Sequence, residues 1–296
     1  MLQDSAALNN ADLDALMAVL SPSLRIYKTA TEPHTLIGPL SERIGTRELV
    51  RRYFTEAFKK GPQGRHEVVD MVSLGDLVLA RVEVQLPGES TIRPMLTAFR
   101  VRDRQIDRIW HIARFDSEPA GSEAAQAVID RFNEAADRND VETVLSLFAP
   151  DARNSHFSGA PDTLGGAPSK SITDAESRRR VFRTMFAERP ARIQALDGFA
   201  LGEWVVSHDR ATQQDGSVTE GLSLYRVQGG RIVDDWYLAQ QARPSSGCVG
   251  CETVGRVIYA GASRSSLRQG VAAPSAVAST STRPRPALPS SSRRGL

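Results

Sequence analysis

Three side chains in the second half of this chain have the chemistry to move a proton. His156 carries an imidazole, which titrates at about pH 6.5 when unperturbed and so exchanges protons near neutrality. Asp235 lies in the run Arg231–Gln240, which reads as a strand. Strand side chains alternate, so Val233, Asp235, Tyr237 and Ala239 are expected on one face and Ile232, Asp234, Trp236 and Leu238 on the other. A His–Asp pair could deprotonate a carbon acid or shuttle a proton, and the Tyr237 hydroxyl could donate to a developing oxyanion. Each residue has a plainer alternative. His156 can be an exposed strand end, Asp234-Asp235 a solvent-facing acidic pair, and Tyr237 a packed ring with a wet hydroxyl.

The elements that must position these groups occur twice. Residues 1–115, moved forward by about 128 positions, fall on a second copy. Ala7, Asp12, Pro22, Arg25 and Phe54 meet Ala135, Asp140, Pro150, Arg153 and Phe182 at that offset. One residue is lost before Gly75 meets Gly202, and another before Trp110 meets Trp236. Offsets that hold within elements and slip in loops mark a duplicated domain; the unit is too long for a solenoid turn. The chain divides into a first domain at 1–115, a linker at 116–122, a second domain at 123–241 and a tail at 242–296.

In the second copy, Val128, Phe132, Ala135, Val141, Val144, Leu145 and Phe148 recur at helical spacing, with a break and N-cap expected at Asn139-Asp140. A third helix carries Val181, Phe182, Met185 and Phe186, and its Arg178-Arg179-Arg180 reads as a solvated face. Strands come next, and Gly229-Gly230 is a hairpin signal. The first copy repeats the plan but lacks about six residues of its opening helix; either the true start lies upstream or that helix is short.

The net charge of +2 is uneven: Arg243 to Leu296 carries +7, which leaves −5 for the domains. A nucleic-acid partner is therefore not implied. No run is long and apolar enough to suggest a membrane span, and no secretory leader is visible at Met1–Ser5, so a cytoplasmic setting is expected. Cys248 and Cys251 lie in a Gly/Ser-rich stretch of the tail, which reads as disordered; a lone CxxC supplies two ligands where structural zinc takes four.

The Asn-Asp helix break, the Phe-Ala-Pro-Asp-Ala segment at 148–152 and the hairpin Tyr225-Arg226-Val227 to Trp236 resemble the SnoaL-like family, a relative of ketosteroid isomerases in the nuclear-transport-factor-2-like superfamily. The resemblance implies an α+β fold: two tandem cone-shaped domains, each a curved antiparallel sheet wrapped on about three N-terminal helices around an apolar pocket. It places a general base at His156 and an acid at Asp235, in front of the Trp. It also equates Phe132 and Ser223 with the two oxyanion donors of ketosteroid isomerases, so steroid isomerisation is not expected. Tyr237, Phe132, Ser223 and Phe182 are the candidate substrate contacts.

The first copy acts as a control. His156 aligns with Lys28, Asp235 with Ile109 and Tyr237 with His111, so the first domain reads as a structural or binding copy with a smaller or more open cavity. Two functions are compatible with this pattern. One is a cofactor-free, metal-free cyclase or isomerase acting on a ketone or polyketide-like substrate in the second domain. The other is a non-catalytic ligand-binding or interaction module. In either case the partner is a small apolar molecule, and the domains are expected to pair through their sheets as an intramolecular pseudo-dimer.

Overall fold

The computed structural model describes residues 2–155, 162–188 and 190–243. His156, Cys248, Cys251 and the tail beyond Arg243 lie outside them.

Each copy folds as helices followed by one five-stranded sheet. The first has α1 (Leu2–Asn9), α2 (Leu13–Val19), β1 (Leu20–Tyr27), α3 (Arg47–Ala57) and β2 to β5 (Arg65–Leu74, Leu77–Gln85, Ile92–Arg102, Gln105–Arg114). The second has α4 (Ser122–Asp137), α5 (Val141–Ser146), β6 (Phe148–Ser155), α6 (Ala175–Glu188) and β7 to β10 (Ala191–Leu201, Trp204–Gln213, Val218–Gln228, Arg231–Arg243). The sheet orders are β1-β5-β4-β3-β2 and β6-β10-β9-β8-β7. In each sheet the last four strands are antiparallel neighbours, and the strand after the first helix pair joins the final strand in parallel. That parallel pairing brings the end of β6 beside Asp235, with Asn154 opposite it.

Local chemistry starts and stops the helices. Asp140 Oδ1 accepts from Thr143 N at 3.1 Å and Asp12 Oδ1 from Ala15 N at 2.9 Å, so the helix pair breaks at equivalent N-caps. The residues before these caps, Asn139 and Ala11, both take left-handed backbone, φ 58° and 52°. Asp174 Oδ1 caps α6 through Ser177 N at 2.8 Å. The helix α1 has 8 residues against 16 in α4, in keeping with the shorter opening of the first copy.

Three apolar layers result. Ala7, Leu16, Leu24, Val50 and Ile109 fill the first cone, and Ile129, Val144, Phe148, Phe182 and Ile232 fill the second. A third layer joins the outer faces of the two sheets: Leu74, Leu79, Leu96, Trp110 and Ile112 with Leu201, Val206, Leu222, Trp236 and Leu238. Each of those pairs, in that order, occupies equivalent positions in the two copies, so the contact has two-fold character. Both tryptophans therefore serve the join.

Simple alternation fails along β10. The ladders slip at Val233 and again near Leu238. Each bulge inserts one residue and reverses the facing of the residues beyond it. Ile232 therefore packs inside the second cone, on the side of Asp235, and Ala239 packs with Trp236 between the sheets.

Candidate functional site

The sheets' inner faces, the helices above them and the first strand of each copy enclose the candidate sites. One opening is in the first cone. A cavity of about 230 Å³ is walled by aliphatic and aromatic side chains, among them Ile26, Val50, Phe54, Val82, Phe99 and Ile109. Its polar groups are few: Ser5, His66, Thr97 and His111. Thr97 Oγ1 lies 3.3 Å from His111 Nδ1. Burial pushes the His111 imidazole down to about 4, helped by the nearby Arg114 cation. Burial also lowers His66. Both rings are therefore neutral at pH 7, and the cavity lining carries no charge.

Lys28, the first-copy equivalent of His156, turns away to Glu42 with Nζ–O distances of 3.0 and 2.7 Å. The first cone thus holds a neutral apolar chamber with hydrogen-bonding imidazoles.

The second cone has the opposite interior. Asp235 is fully buried, and its Oδ2 accepts from Asn154 Nδ2 at 2.9 Å. Asn154 Oδ1 in turn accepts from Arg178 Nε at 3.1 Å. Arg178 also donates to the carbonyls of Ala149 and Ala152 and sits 5.1 Å from the Phe148 ring centre. Arg178 is thus buried, which corrects the solvated reading of the Arg178-Arg179-Arg180 run. The side chain of α6 that points inward is the one whose charge β6 carbonyls and Asn154 can satisfy. Desolvation raises the Asp235 carboxyl to about 7, against hydrogen bonds from Tyr237 and Asn154 and the attraction of Arg178. Asp235 Oδ1 is buried with no hydrogen-bond partner among the described residues.

A second buried acid escapes the sequence reading. Asp209 Oδ1 accepts from Asn133 Nδ2 at 3.1 Å and from Ser207 Oγ at 2.9 Å. Burial lifts its pKa to about 6.

Comparison of equivalent positions explains both interiors. Ile26, Val50 and Ile109 of the first cavity are Asn154, Arg178 and Asp235 in the second cone. Ser5 and Val82 are Asn133 and Asp209, and the facing pair Thr97–His111 is Ser223–Tyr237. Aliphatic wall has been exchanged for hydrogen-bonded polar groups, position by position.

Of the sequence candidates, Asp235 and Tyr237 meet on the inner face of β10, with Ser223 opposite Tyr237. Phe132 and Phe182 pack in the aromatic core, with ring centres 5.9 and 5.6 Å from Phe148. His156 comes directly after β6 but lies outside the described residues. Sequence reasoning singles out His111 through its alignment with Tyr237 but passes over His66 and the apolar wall of the first cone. A signal is present for His66 in its strand position two residues before Val68, on one face of an alternating run. Among the described residues, no group of three or more His, Cys, Asp or Glu is placed to hold a metal ion.

A family model described as SnoaL-like domain matches residues 4–109 and again 129–235, well over half of the chain. The chain belongs to the SnoaL-like family. Both SnoaL-like matches fall on the helix-and-sheet units described above. No curated protein matches the chain. Solved structures similar to a single SnoaL-like cone include an NTF2-like protein of unknown function from Mesorhizobium loti. It is 23% identical, covers 42% of this chain and 93% of its own, and has a TM-score of 0.34. IdmH, a candidate polyketide cyclase from Streptomyces antibioticus, is 24% identical over 38% of this chain and 86% of its own, with a TM-score of 0.29. A candidate ketosteroid isomerase from Kribbella flavida is 17% identical over 45% of this chain and 92% of its own, with a TM-score of 0.33.

Proposed function

We propose that the protein binds a small neutral organic molecule in the cavity of its first cone. The observation that carries this reading is the 230 Å³ chamber with an uncharged, largely aliphatic lining. An apolar cavity of about 150 Å³ takes up benzene, so this one suits a ligand of about two fused rings or a small terpenoid. A charged group would lose its hydration there with no counter-charge among the lining residues, a penalty of several kcal/mol. The neutral imidazoles of His66 and His111 supply a hydrogen bond for one hydroxyl or carbonyl.

A test uses 1-naphthol and its anionic analogue 1-naphthoate in calorimetric titrations of the full chain. Naphthol is expected to bind, and naphthoate to bind at least tenfold more weakly. Val82→Trp, which fills the chamber, should abolish naphthol binding while leaving a cooperative thermal transition. Equal affinity for the anion, or binding untouched by Val82→Trp, would contradict the proposal.

A second reading concerns the other cone and rests on the Asp235 pKa of about 7. A carboxyl poised near neutrality is suited to general acid–base work. In this reading Asp235, oriented by Asn154 and Tyr237 and partnered by His156, exchanges a proton with a ketone or polyketide-like substrate. Any such turnover would track a pKa near that of Asp235 and would be lost in Asp235→Asn.

A further inference from the structure

Among the described residues, two contacts between ionisable side chains cross from one cone to the other at equivalent positions, and Tyr27 also faces Asp162. His34, in the loop after β1, places Nδ1 at 2.7 Å from Asp234 Oδ1 on β10. Asp162, in the segment after β6, places Oδ1 at 2.5 Å from Arg108 Nε on β5. His34 and Asp162 are equivalent residues in the two copies, at the 128 offset, and Arg108 and Asp234 are equivalent at 126. In each contact a loop residue of one cone meets a strand residue of the other, as a two-fold interface requires. The signs are inverted: base on acid in one, acid on base in the other.

Both strand partners are well buried, with side-chain exposures of 1% for Asp234 and 11% for Arg108. Asp234 is also faced by Arg226 at 3.4 Å and lies in the field of Arg153. Arg108 donates to the carbonyl of Ser23 at 3.0 Å and lies 3.6 Å from Asp107. The outer faces that these contacts frame are apolar in both cones and nearly the same. Apolar complementarity alone would let either face pair with a second copy of itself.

We infer that the two inverted contacts make the pairing of the cones heterotypic, so that the first cone accepts the second and neither accepts its own kind. Two first cones placed face to face would set His34 against Arg108, twice, and take Asp162 away from both arginines. Two second cones would set Asp162 against the buried Asp234, twice. Opposed carboxylates, and an imidazole set against an arginine in place of its carboxylate, are a standard device against the wrong partner. The partner this surface fits is therefore the other cone of the same chain, not a second chain.

Single substitutions in the full chain recreate each rejected contact. Asp162→His places an imidazole against Arg108, as two first cones would. His34→Asp places a carboxylate against Asp234, as two second cones would. Each is expected to lower the thermal midpoint at pH 7 by about 2–4 °C or more, with His34→Asp the larger because Asp234 is the more buried partner. The pH dependence separates these contacts from a general loss of packing. Measured against His34→Asn, which removes the imidazole without adding a charge, the deficit of His34→Asp should shrink on acidification toward pH 4, because one carboxyl of the new pair takes a proton. Acidification should enlarge the deficit of Asp162→His, because the new imidazole becomes charged beside Arg108. The inference is overturned if both variants melt like the parent at pH 7, or if their deficits move the same way with pH.

Discussion

Asp235 and Asp209 of the second cone and the two cavity histidines of the first respond to pH in opposite senses. Asp235 has a folded pKa of about 7, raised chiefly by burial. Its unfolded value is about 3.9, so its stabilising contribution is complete below about pH 4 and is lost as pH rises through 7. Asp209, at about 6, acts in the same sense. His111, depressed to about 4, does the reverse: its contribution is present above about pH 6.5 and is lost as pH falls through 4. Asp235→Asn keeps the shape and removes the charge. It is expected to stabilise the protein at pH 8 by about 2–3 kcal/mol more than at pH 5. Urea denaturation at the two pH values checks this, and a loss of stability at pH 8 would mean that Arg178 needs the charge. Asp235 and Tyr237 are legible as a pair because strand alternation holds between them. Arg178 is not, because neighbouring arginines look alike in sequence and only packing selects the one that turns inward.

At the scale of elements, the sequence locates the helices and most strands, since caps and apolar spacing are local signals. It misses features that depend on pairing. The bulges at Val233 and Leu238 are one-residue slips with no signature in residue type, and they move Ile232 and Ala239 to the opposite face. The hairpins show a related contrast. The turn Gly229-Gly230 has φ 56° and 73°, and its equivalent Asp103-Arg104 has φ 49° and 65°. Glycine adopts this geometry without strain, whereas a side chain at the second position does not. Arg104→Gly restores the favoured Asp-Gly pair and is expected to stabilise the first cone by about 0.5–1 kcal/mol. Differential scanning calorimetry should show a higher midpoint; an unchanged or lower one would indicate that the Arg104 side chain contributes more than its turn costs.

For the whole molecule, duplication is legible from matched residues, and the joining of the sheets is expected from the family resemblance, with tryptophans at equivalent positions in support. Which cone holds the open chamber is not legible. A residue's type shows that Ile26, Val50 and Val82 are apolar, but not that they leave space between them. One fold has been kept twice with different interiors: an uncharged chamber in the first cone and a buried polar chain in the second. Among the described residues, no helix is long and apolar enough to cross a membrane.

The most direct test uses the five histidines of the chain as reporters. His66 and His111 line the first chamber, His34 sits in the contact between cones, His208 lies near Glu220, and His156 comes directly after β6. Histidine-selective NMR is recorded while 1-naphthol is titrated into the full chain. Binding in the first chamber predicts that the imidazole signals of His66 and His111 shift together and saturate, while those of His34, His156 and His208 stay in place. Saturating shifts at His156 with His66 and His111 unmoved would contradict it, and would place the ligand in the second cone.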